Sequence, residues 1–78
     1  MSKMPDFLLC KSKQEIEHLI KTANLGKENT KIAHLRFIEQ ISIVEIGSIL
    51  NLTRSTVGKR ILHQILPKLK QFSEIIKR

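Results

Sequence analysis

The amino-acid sequence predicts an all-α protein, a small bundle of four to five helices, on three observations. Apolar residues recur three and four apart along most of the chain, and no alternating run exceeds a few residues, so the helical period outweighs the strand period. Ser-x-x-Glu pairs at Ser12–Glu15 and Ser42–Glu45 mark two helix starts. In each, the hydroxyl can accept from the amide three residues on while the carboxylate reaches back to the serine amide. Bulk for the core must come from Ile and Leu, since 41% of residues are hydrophobic but the only aromatics are three Phe. A chain of 78 residues makes one small domain with a marginal core, and residues 12–78 are expected to form it.

Residues 1–11 read as a leader with a compact apolar cluster, Met4, Phe7, Leu8 and Leu9. The cluster either covers the bundle or docks on a partner, and a core this small gains from every added side chain. The first helix is expected from Lys13 to Asn24, capped by Ser12 and stopped near Leu25-Gly26. Ile16, Leu19, Ile20 and Ala23 form its inner stripe. A second helix is expected from Glu28 or Asn29 to Gln40, with Ile32, Leu35, Phe37 and Ile38 as its buried residues. Arg36 can brace the bundle by pairing with an acid such as Glu45, or it can touch phosphate.

The stretch from Ser42 to Ile61 organises the rest. Ile43, Ile46 and Leu50 fall on one helical face, and Gly47 lies on the inner side, where a missing Cβ would let a second helix cross closely. Asn51 stands where the chain must turn sharply, and Asn tolerates left-handed backbone better than most residues. Leu52 can plug the corner, Thr53 can cap the next helix, and Val57 and Ile61 turn inward. Two helices joined at such a corner are a helix-turn-helix, with spans of about Ile43 to Leu50 and Arg54 to Leu66.

Pro67 then interrupts the pattern, because it has no amide hydrogen for the carbonyl of His63 and disfavours helical backbone at Leu66. Either the helix kinks there or a new one begins with Pro67 in its first turn. The stripe Leu69, Phe72, Ile75 and Ile76 continues beyond it. It either closes the bundle or meets a second subunit, which makes Leu69, Phe72 and Ile76 the candidates for dimerisation.

The outward positions of the second helix of the motif are Arg54, Ser55, Thr56, Lys59, Arg60 and His63. Thr56 stands where the other two helix starts carry a glutamate. An acid there would help the isolated helix but repel a phosphate or an electronegative base edge. Charge placement agrees. Residues 51–78 carry seven bases against one acid, a net of +6, whereas residues 1–50 carry seven bases against six acids, a net of +1. A basic half that contains the exposed face of a helix-turn-helix is an electrostatic footprint for a polyanion.

The same stretch resembles a known family. S-x-x-E-I-G-x-x-L-N-L-T-R-S-T-V-x-x-R-I is similar to the helix-turn-helix of bacterial sigma factor region four, which typically reads S-x-x-E-I-A-x-x-L-G-I-S-x-x-T-V-x-x-R-L. The upstream H-L-R-F-I-E-Q-I, His34 to Ile41, resembles the L-R-(F/Y)-x-E-G-L that precedes it in that family. The likeness runs from about Glu28 to Leu69, and regulators of the LuxR type share much of the pattern. Arg60 takes a position where phage-repressor motifs usually carry an inward aliphatic, with Ile61 the buried residue instead. Gly47 in place of Ala, Asn51 in place of Gly and Ala33 in place of a larger aliphatic are departures. The resemblance implies promoter DNA and RNA polymerase as partners. The chain has no room for the remaining domains of a primary sigma factor, so a small phage- or plasmid-encoded regulator or one part of a split factor is expected.

Other chemistries find no support in the residues. Cys10 is alone, which excludes an intrachain disulfide and suits a reducing cytoplasm. His18, His34 and His63 are far apart, with no paired cysteines, so metal-ligand spacing is not met. No Gly-rich phosphate loop and no nucleophile with a base and orienter is present, so neither an enzyme nor a bound cofactor is expected. No apolar run approaches the roughly 18 residues of a membrane span. Lys3, Pro5 and Asp6 ahead of Phe7-Leu8-Leu9 make no secretion signal.

The expected function is therefore a sequence-specific DNA-binding transcription regulator. Arg54, Ser55, Thr56 and Lys59 would reach base edges, Arg60 and His63 flanking phosphates, and Lys68 and Lys70 would extend the phosphate track. Two alternatives carry different consequences. One is a protein-interaction module that binds RNA polymerase or another regulator with little DNA contact. The other is a DNA-packaging adaptor.

Overall fold

The computed structural model describes residues 5–9 and 11–76, apart from the side chains of Asp6, Ile75 and Ile76. Lys3, Met4, Cys10 and those two isoleucine side chains, all named above, lie outside it. Among the described residues every regular element is helical, so the domain is all-α. We number five helices: α1 (Asp6–Leu9), α2 (Lys13–Ala23), α3 (Lys27–Ala33, continuing as the π-helical His34–Ile38), α4 (Ile43–Leu50) and α5. The last runs through Arg54–Arg60, the π-helical Ile61–Ile65 and Leu66–Ile76 without a break.

Helix α2 follows its sequence closely. Ser12 accepts from the Glu15 amide at 3.2 Å while the Glu15 carboxylate accepts from the Ser12 amide at 2.8 Å, so both arms of the capping box form. Asn24 ends the helix in left-handed backbone with φ 52°, and Gly26 follows with φ 97°, a conformation that strains any side chain. Ile16, Leu19, Ile20 and Ala23 are the buried face.

Helix α3 begins a residue earlier than expected and its regular winding ends at Ile38 rather than Gln40. Its last turn widens, the Glu39 amide donating to the His34 carbonyl five residues back at 3.2 Å. Gln40 is left-handed at φ 58°, and the Ile41 amide closes onto the Leu35 carbonyl at 3.0 Å. Arg36 reinforces this corner: its Nη1 donates to the Ile41 carbonyl at 3.0 Å. Burial pushes its guanidinium below the ordinary arginine pKa. Arg36 thus braces backbone, and the expected partner Glu45 is not the group it reaches.

The core joins all five helices. Leu8 of α1 is fully buried with Leu19, Ile32, Ile46, Val57, Ile65 and Leu69. Phe7, Leu25, Leu35, Leu66 and Phe72 pack around them. Ala33, at the position where a larger aliphatic is usual, is also fully buried in this core. Ile43 and Leu50, expected in the core, are half-buried at its edge. Helix α2 packs on the Leu66–Ile76 segment and on the wide turn of α3, α3 packs on Ile61–Ile65, and α4 packs on Arg54–Arg60.

Pro67 sits in the first turn of an α-wound segment, Leu66–Ile76, as one of the two alternatives at this position had it, but no gap separates that segment from the turn before it. The turn ahead of it is π-wound, with the Leu66 amide donating to the Ile61 carbonyl, and helical backbone continues through Leu66 at φ −60°, ψ −43°. A widened turn is a common way for a helix to absorb a residue that breaks the regular ladder. Of the two roles open to the stripe beyond Pro67, closing the bundle fits Leu69, which is fully covered within the chain, and Phe72, which packs against the core. A core this small gains from both side chains.

Candidate nucleic-acid interface

The interface is built by the corner between α4 and α5. Ser42 caps α4 by accepting from the Glu45 amide at 3.2 Å, but the Glu45 carboxylate does not return the bond. Only half of the expected capping box forms. Asn51 then turns the chain in left-handed backbone at φ 62°, and the Leu52 amide donates to the Gly47 carbonyl at 2.7 Å. Thr53 caps α5, accepting from the Thr56 amide at 3.1 Å and donating to the Thr56 hydroxyl at 2.8 Å. Two hydroxyls therefore complete the cap where an acid stands at α2. The first turn of α5 carries no negative charge.

The sequence-derived site residues divide by their surroundings. Arg54, Ser55, Lys59 and His63 are exposed. Ser55, Lys59 and His63 follow one another at intervals of four, and so share one side of the helix. Arg54 and Ser55 also line a shallow hollow with Ile43, Thr53 and Gly58, where the starts of α4 and α5 meet. Thr56 is half-buried, its hydroxyl engaged in the cap. Lys68 and Lys70 are exposed on the same continuous helix, about 20 Å along its axis from Arg54 at the usual helical rise. Lys70 borders an apolar hollow with Phe7, Leu66 and Pro67.

Arg60 is placed differently. Its Nη1 stands 2.5 Å from Glu28 Oε1 and donates to Asn29 Oδ1 at 3.3 Å. Asn29 in turn donates to Gln64 Oε1 at 2.9 Å. None of these three partners stood out in the sequence, because neither 31 nor 35 residues of separation leaves a local pattern. Leu62, 61% exposed beside Lys59 and His63, was also missed. An apolar residue among polar ones on an outward face is its signal. Leu69 and Phe72 do not join this site, and the side chain of Ile76 lies outside the described residues.

Such an arrangement can present cationic and hydroxyl donors to a groove while the opposite side of the same helix is anchored by Val57, Ile61 and Ile65. No group of three or more His, Cys, Asp or Glu side chains that could hold a metal occurs among the described residues. No helix among them is long and apolar enough to cross a membrane.

This is a DNA-binding domain of the helix-turn-helix class. The profile of the family described as Sigma-70, region 4 matches residues 23–71, more than half of the chain, and the protein belongs to that family. No curated protein and no solved structure matches the chain. Region 4 domains bind DNA and RNA polymerase.

Proposed function

We propose that the protein is a sequence-specific transcription regulator, phage- or plasmid-encoded, that acts in the cytoplasm together with RNA polymerase. The observation that carries this reading is the acid-free first turn of α5, with Arg54 and Ser55 exposed on it and Lys59 exposed one turn further on. Arg54 offers paired donors suited to guanine O6 and N7, and Ser55, Thr56 and Lys59 supply further donors to base edges. His63, Lys68 and Lys70 would lie along flanking phosphates and strengthen binding to any sequence. A homodimer spanning two half-sites would have to form without Leu69, since that residue belongs to the core.

Gel shifts on mixed genomic fragments, titrated with salt, test the proposal. Selective binding that weakens steeply with salt supports it. Absence of binding at low salt would transfer support to an interaction module, which the exposed Val44 and Ile49 of α4 favour.

A further inference from the structure

We propose that Arg60 is a positioning residue, which fixes the roll of α5 through Glu28 and Asn29 rather than contacting phosphate. The inference rests on the DNA-binding reading of α5. Arg60 and Gln64 lie on one flank of that helix, and both are tied to the first turn of α3. One guanidinium nitrogen reaches Glu28 Oε1 at 2.5 Å and Asn29 Oδ1 at 3.3 Å, and the Asn29 amide group donates to Gln64 Oε1 at 2.9 Å. Asn29 thus accepts from one α5 residue and donates to another one turn away. These four side chains form a single connected chain between the two helices.

The position of this chain gives it a function. Val57, Ile61 and Ile65 hold α5 along one apolar line, and a line of contact alone leaves a cylinder free to rock about its axis. The polar chain is a second line of attachment beside the first. It sets the angle at which Ser55 and Lys59 face outward, and base readout requires side chains held within about 0.5 Å and 10–20° of the productive geometry. The charge of Arg60 is meanwhile matched by Glu28, whereas Lys59 forms no ion pair among the described residues. A paired arginine releases fewer counterions from DNA than a free lysine. Exposed ion pairs contribute little to stability, so the effect belongs in discrimination between sequences more than in the melting temperature.

The test uses the full chain with Arg60→Ala, Glu28→Ala, the double variant, and Lys68→Ala as a phosphate control. Each is titrated over a range of salt on a duplex enriched from a random pool and on unselected duplex. Arg60→Ala and Glu28→Ala should each lower the ratio of the two affinities several-fold, with the double variant no worse than either. The salt slope should stay at the wild-type value for Arg60→Ala and fall by about one unit or less for Lys68→Ala. A slope lowered by about one unit in Arg60→Ala, with both duplexes weakened equally, would overturn the proposal and make Arg60 a phosphate contact. Amide exchange across Arg54–Arg60 without DNA gives an independent reading. Faster exchange shared by both single variants upholds the brace, and wild-type rates in both overturn it. If the wild-type protein binds no duplex at low salt, the DNA reading fails, and the exchange rates alone decide the brace.

Discussion

The carbonyl of Leu52 occupies the space that a Cβ on residue 47 would need: an added carbon at Gly47 would lie 2.6 Å from that oxygen. The two residues are also joined by the Leu52 amide, which donates to the Gly47 carbonyl at 2.7 Å. The corner of the helix-turn-helix is therefore closed on Gly47 by backbone, which has no rotamer with which to retreat. Alanine, the usual family residue here, does not fit this corner without displacing it.

Gly47→Ala should consequently destabilise the protein. Helix propensity favours Ala over Gly by about 1 kcal/mol, but overpacking against a fixed backbone costs about 1–3 kcal/mol. The clash should win, with a net loss on the order of 1 kcal/mol. Urea unfolding measures it, and a variant as stable as wild type would show that the corner opens readily.

Val57→Asp tests the inner face of α5. Val57 is fully buried, and an unpaired carboxylate there should cost about 3 kcal/mol or more, enough to unfold a small domain. A wild-type melting curve for this variant would mean that the helix is rotated from the orientation described.

Leu69 separates a core role from a subunit contact. Leu69→Ala should lower stability by about 2–5 kcal/mol through the cavity it leaves, at protein concentrations where sedimentation detects only monomer. Stability lost only at concentrations where dimers form would return Leu69 to an interface.

Arg54 and the distal lysines should differ in kind. Arg54→Ala should lose about 1–3 kcal/mol on the preferred duplex and little on random DNA. Lys68→Ala and Lys70→Ala should weaken all duplexes alike, each lowering the salt slope by about one unit or less. Equal weakening of both duplexes by Arg54→Ala would identify it as a phosphate clamp.

Much of the fold was legible because its determinants are local. The buried stripe of α2, the caps at Ser12, Ser42 and Thr53, and the left-handed turn at Asn51 each follow from a few adjacent residues. Where expectation and structure part, a competing or distant partner decided. Arg36 could have paired with Glu45 by charge, but the Ile41 carbonyl at the neighbouring corner takes its donor. Pro67 breaks an α-turn locally, yet a wider turn upstream and the buried Ile65 and Leu69 on either side carry the helix through. On the outward face of α5, Arg54, Ser55, Lys59 and His63 could be read from spacing, whereas Thr56 and Arg60 are half-buried and the exposed Leu62 was missed. The tie of Arg60 to Glu28 could not be read in this way, since it joins residues with no common local motif.

The uninterrupted run of α5 from Arg54 to Ile76 has a kinetic consequence. Arg54 and Ser55 at its start are exposed while Ile65 and Leu69 further along are fully buried, so the exposed end and the keystone of the bundle are one rod. Melting of the rod's far end removes the anchor from its near end. The exposed face of α5 is therefore expected to share the opening rate of the core, which uniform amide protection along the helix would show.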